Sequence, residues 1–198
     1  MRPELETIDP DNRLLARQSR VRLDAEIIRD AGLEVAGLLD RTIGGPGVFP
    51  PQPDGVMKLG QQSRPWDVSE GGNRYRRGMY TFFWRATPHP SLMVFDAPTA
   101  TTACTRRNRS NTPLQALTLL NDAAFYEMAG ALAERIATCD ADTDAERIDT
   151  AFEWAFARMP SDREREILSG LIANGEGQAR WVAVARAVLN LDEFITRE

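Results

Sequence analysis

Histidine, lysine and cysteine are almost missing from this chain, and each scarcity closes off a class of chemistry. The single histidine, His89, rules out a multi-histidine metal site and leaves any Ser–His–Asp relay hanging on one residue. No GxSxG elbow accompanies it. The two cysteines, Cys104 and Cys139, form neither a CxxCH haem attachment nor a CxxC pair. With one histidine they fall short of a structural zinc set, so no metal site is expected. A Cys104–Cys139 disulfide stays open, because sequence alone does not set the distance between the two sulfurs. No run approaches the ~18 apolar residues of a membrane span, and the opening MRPELETIDPDNR has no apolar core of a secretory signal.

Lysine is as rare as histidine: Lys58 is the one lysine among 24 basic residues. Arginine forks suit carboxylate, phosphate and sulfate, but a GC-rich genome would give the same bias. Net charge is −5, against a general nucleic-acid surface, which needs an excess of clustered cations. A local basic pocket is not excluded by that total. The composition, 42% hydrophobic and 27% charged, is that of a globular chain.

The pattern along the chain is helical and predicts an all-α fold, an irregular bundle of about five helices with a long Gly/Pro-rich loop wrapped over it. Residues 1–18 read as a polar lead-in with Pro3 and Pro10, unlike a natural start. The 198 residues are therefore expected to be one helical domain, the C-terminal piece of a longer multidomain protein. Residues 19–40 repeat apolar positions at helical spacing, with Gly32 and Gly37 as weak points or as close-packing sites, and Arg20, Arg22 and Arg29 on a charged outer face. Residues 41–75 contain GGPGVFPPQPDG, which no helix survives; the loop either wraps the core through Val48, Phe49, Met57 and Trp66 or binds a ligand.

The rest of the chain, 76–198, is read as an aromatic block and a helical core. The block Met79–Trp84 is assigned a short helix ended by Pro88 and Pro90. Thr112, Pro113 and Gln115 open a long helix to about Ala137, burying Leu117, Leu120, Ala124, Met128 and Ala131. Two further capping boxes, Thr143 with Glu146 and Ser161 with Glu164, open helices that bury Phe152, Met159, Ile167 and Leu168. A last helix spans about 178–196.

The candidate site lies in RRNRSNTPLQ. Arg106, Arg107 and Arg109 precede the cap at Thr112, where free N–H groups and the positive helix end add to their field; Asn111 and Thr112 complete the ligand-binding set. Arg76 and Arg77 form a second pair that would have to converge on the same pocket. Alternatively these arginines pair with some of the 29 acids and brace the fold. His89 in TPHPS and Asp96 in FDAP are the weak catalytic candidates, each with a plain structural alternative in an ordered loop or turn.

The motifs DPDNRLLAR, RVRLDAEIIRDAGLEVAGLLD, GGPGV, YRRGMYTFFWRATPHPSLMVFDAP, RRNRSNTPLQALTLLND and LNLDEFITR together resemble a planctomycete-type C-terminal domain of unknown function (domain of unknown function 1553). One departure is Met57, where that family tends to carry tryptophan. The resemblance implies a large exported protein of the periplasm or cell envelope, with c-type cytochrome-like modules upstream that would carry any haem; none is expected in this chain. By gene neighbourhood it implies polysaccharide breakdown, and it assigns no reaction. The functional expectation is a non-catalytic module that docks on those upstream modules or binds an anionic glycan or sulfate. The alternative is a hydrolase or redox accessory acting on polysaccharide, with His89 and the arginine clusters at its site.

Overall fold

The computed structural model describes residues 4–60 and 62–197; the Met1–Pro3 start lies outside the described residues. A five-residue helix, α1 (Glu4–Ile8), opens the lead-in. Then β1 (Val21–Arg22) pairs antiparallel with β2 (Thr196–Arg197), in the register Val21↔Arg197 and Arg22↔Thr196. The expected 19–40 helix is shorter: α2 (Ala25–Val35) begins after Asp24 and ends where Gly37 adopts φ 73°. Gly32 lets α2 close on the core, since a Cβ there would lie 2.7 Å from the Met128 sulfur. Arg22 and Arg29 do not face outward as expected; both are buried. Arg29 donates to the Arg74 carbonyl at 2.8 Å, and burial pulls its pKa down to about 10.

The 41–75 loop wraps. Two short parallel bridges, Asp40↔Arg76 and Val48↔Thr81, lay it along the aromatic block. Phe49 stacks on Phe82 at 4.9 Å and meets Trp66 edge-on at 5.0 Å. Trp66 Nε1 donates to the Pro50 carbonyl at 2.7 Å. Met57 is buried at the place where the resemblance put a tryptophan. The aromatic block itself is not a helix: a 3₁₀ turn at Gly78–Tyr80 gives way to extended chain. The helix comes later, as α3 (Pro90–Val94), and Pro90 starts it instead of stopping one, because a missing N–H costs nothing at the first position.

The long helix expected over 113–137 is two helices. Asp122 is extended (ψ 136°), ending α4 (Pro113–Asn121), and its carboxylate accepts the Ala124 N–H at 2.9 Å to cap α5 (Ala123–Ala137). The break re-aims α4, so Leu117, expected inside, is 54% exposed. Then α6 (Asp144–Phe156) and α7 (Asp162–Ala173) start at the expected capping boxes. The first ends before Pro160, at Ala157 in the left-handed region, which leaves Met159 outside; Ile167 is exposed too. The last expected helix also splits, into α8 (Gly177–Leu189) and α9 (Asp192–Ile195).

Helix α5 is the centre. It packs most extensively on α8, with α4, α6 and α2 around it. Leu132, Ile136, Ile148, Phe152, Val184 and Val188 are sealed from solvent in one contiguous core. The result is all-α apart from the two-residue strands.

Candidate functional site

Arg76, one of the expected ligand arginines, is 3% exposed and held by backbone. Its guanidinium donates to the carbonyls of Pro46 (3.0 Å), Thr42 (3.2 Å) and Gly44, and lies 3.9 Å over the Tyr80 ring. The Tyr80 hydroxyl accepts the Gly44 N–H at 2.7 Å. Positive φ at Gly44 and Gly45 (84° and 86°) turns the chain so that these carbonyls converge. The GGPG motif is thus a receptor for a cation of its own chain, and Arg76 is not available to a ligand.

Arg77 and Arg107 are brought to one face of α2. Arg77 Nε meets Asp30 Oδ2 at 2.9 Å, while Asp30 Oδ1 takes the Gly78 N–H at 2.6 Å. Arg107 grips Glu26 with both terminal nitrogens, at 2.7 and 3.2 Å. Glu26 and Asp30 are one helical turn apart, so two distant segments clamp onto one stripe. Glu26 and Asp30 therefore pair across the fold, not with the local arginines that helical spacing offered. One arginine of each group lies on this face, while Arg76 is taken up by the GGPG carbonyls and Arg106 and Arg109 line an open concavity.

Asp96 sits in the left-handed region (φ 59°). Its Oδ2 accepts the Ser110 N–H (2.8 Å), the Ser110 hydroxyl (2.7 Å) and the Arg22 guanidinium (2.7 Å). Burial opposes its ionisation, but these donors outweigh it and hold the carboxyl below the usual carboxylate range. Arg22 also donates to the carbonyls of Ser110 (2.7 Å) and Phe95 (3.1 Å). Gln115, sealed from solvent, donates to Val94 O and Ser110 Oγ (3.0 and 3.1 Å) and accepts the Thr112 N–H at 3.3 Å. Spacing reads Gln115 as a cap alone and puts Arg22 on an outer face; the signal for the other reading is an amide and a guanidinium among apolar neighbours, which need partners once buried.

His89 is 2% exposed. Its Nε2–H donates to the Pro51 carbonyl at 3.0 Å and its Nδ1 accepts the Ser91 hydroxyl at 2.8 Å, as a neutral ring requires. It braces the wrapped loop and is not near the Arg106–Arg109 segment's concavity. Asn111 donates to Asp192 at 3.1 Å, and Thr112 caps α4. Cys104 and Cys139 are free thiols, one exposed and one half-buried. Among the described residues, no group of histidine, cysteine, aspartate or glutamate has the arrangement of a metal site.

What stays reachable is the 97–109 loop. Arg106 is exposed and forms no ion pair among the described residues, and Arg109 has only a loose one, 3.7 Å to Asp24. Arg106, Arg107, Asn108 and Arg109 line an open concavity of about 510 Å³ with Asp24 on its wall. A second concavity of about 440 Å³ shares Arg106, Arg107 and Asn108 and adds Thr99, Thr102 and Thr105. Together these features define an all-α scaffold pinned by arginines and displaying one basic loop.

The chain belongs to the family described as PSD1, protein of unknown function (DUF1553), whose model it matches over residues 1–172. No curated protein and no solved structure matches it. The matched range stops within α7, so the LNLDEFITR segment lies beyond it, although α8 completes the core against α5.

Proposed function

We propose that this domain is a non-catalytic module that receives an anionic group, a sulfate or carboxylate, on the 97–109 loop. The observation that carries the reading is the open concavity lined, with Arg107 and Asn108, by Arg106 and Arg109, the two expected ligand arginines that are not already locked to a strong partner. Guanidinium forks recognise oxyanions with paired donors. Asp24 on the same wall disfavours a densely charged polyanion and suits a ligand with one isolated anionic substituent. In this reading the anion belongs to a glycan, and the domain serves a longer exported protein beside haem-bearing modules, as the family resemblance implies. The hydrolase or redox reading has weaker support, because His89 and Asp96 are committed to holding loops.

Thermal unfolding with a monosulfated oligosaccharide tests it. A ligand of the native state at about 100 times its Kd adds about 2.7 kcal/mol, a rise in Tm of several degrees. The double variant Arg106→Glu, Arg109→Glu is expected to lose the rise while keeping its unliganded Tm. An equal rise in wild type and variant would mean that the loop is not the site.

A further inference from the structure

The 97–109 loop has a second property that does not depend on any anion. Residues 99–106 are all exposed. From residue 98 to residue 110 no backbone–backbone hydrogen bond forms among the described residues. Yet the base of the loop is bolted: Asp96 holds Ser110, and Arg22 holds the carbonyls of both Phe95 and Ser110. Such a segment can enter an extended protease cleft without unfolding what flanks it.

Its three arginines are not equivalent. Arg107 is clamped to Glu26. Arg109 precedes Ser110, whose N–H, hydroxyl and carbonyl are all engaged. Arg106 is exposed and follows the exposed run 99–105; the one contact at its carbonyl is a weak thiol donor, Cys104 Sγ at 3.3 Å. Three basic residues of the other irregular segments are less suited. Arg64 is followed by Pro65, whose ring blocks the leaving-nitrogen side. The N–H groups of Arg13 and Leu14 both bond the Asp9 carboxylate, at 2.9 and 2.7 Å. Lys58 is in a 3₁₀ turn, bonded to Gly55 O at 2.9 Å.

We infer that the Arg106–Arg107 peptide bond is a processing site for a trypsin-class serine endoprotease, and that the cut protein remains a single body. The protease serine adds to the Arg106 carbonyl carbon and the C–N bond breaks. The Arg107 amine leaves with the proton passed through the protease histidine, and water then releases the Arg106 carboxylate from the acyl-enzyme. Contacts across the cut hold the pieces together: the pairing of β1 with β2, Arg107 on Glu26, Arg22 on Ser110, Arg74 on Glu127, and α2 packed on α5.

Brief digestion of the folded chain with trypsin, read by intact mass and by size exclusion, is the test. The expected first products are residues 1–106 and 107–198, which co-elute at the position of the uncut protein and separate only in denaturant. Arg106→Gln, a change at an exposed side chain, is expected to slow loss of the full-length chain by roughly tenfold with an unchanged Tm. A first cut within residues 11–20 or 41–75, or fragments that elute apart without denaturant, overturns the inference.

Discussion

Burial holds His89 neutral, pushing its pKa from 6.5 down to about 4, with the Pro51 carbonyl opposing and the Arg29 charge assisting. The unfolded chain takes up that proton near its ordinary pKa and the folded chain only near the lowered one. Stability is therefore full above about pH 6.5 and declines as pH falls toward about 4, by on the order of 3 kcal/mol. As the sole histidine it is the side chain whose ordinary pKa lies in that window; carboxyls held low, Asp96 and Glu164 among them, add to the loss at its acid end, and Asp122, whose pKa is raised by burial, acts in the opposite sense. Urea midpoints across this range are expected to fall toward acid in the wild type, and the slope is expected to flatten in His89→Gln. Its burial was not legible in the sequence, where proline neighbours marked only an irregular segment. The partners that hold it, the Pro51 carbonyl and the Ser91 hydroxyl, are backbone or short side chains that sequence spacing does not reveal.

At the level of elements, the most legible features were those with local causes. The boxes at Thr143/Glu146 and Ser161/Glu164 close with side-chain bonds in both directions, because a cap needs only residues three apart. The breaks were harder. Asn121–Asp122 is a turn former followed by a good cap, yet apolar spacing runs through it unbroken, and only the packing of α4 decides that the helix must stop. Two substitutions probe these element joints. Gly78 crosses α2 so closely that a Cβ would lie 2.6 Å from Glu26 O and 2.8 Å from its Cα. Gly78→Ala is expected to destabilise by about 2–3 kcal/mol in denaturant unfolding, since backbone on both sides must shift. Ala157 ends α6 at φ 54°. Ala157→Gly is expected to stabilise by about 0.5–1 kcal/mol, the relief of a left-handed alanine less the added freedom of the unfolded chain.

Over the whole molecule, most of the arginines in the motifs are internal fasteners. Arg22 ties β1 to the ends of the 97–109 loop, Arg76 gathers the GGPG carbonyls, and Arg77 and Arg107 fix two segments on α2. That the residues of RRNRS would matter was visible from their crowding; which of them would be spent inside was not, because Asp24, Glu26 and Asp30 lie some eighty or fifty positions away and pair only once the fold is made. The proposed site is correspondingly smaller than the five-arginine set, centred on Arg106 and Arg109. The division between fastening and displayed arginines is most directly measured by comparing unfolding free energies of Arg22→Met and Arg106→Gln with wild type in one denaturant series. Loss of the buried Arg22 leaves the half-buried Asp96 and the Phe95 and Ser110 carbonyls without their donor, so the first variant is expected to be about 3 kcal/mol less stable, while the second stays within about 0.5 kcal/mol. Equal losses, or a larger loss at Arg106, would contradict the account.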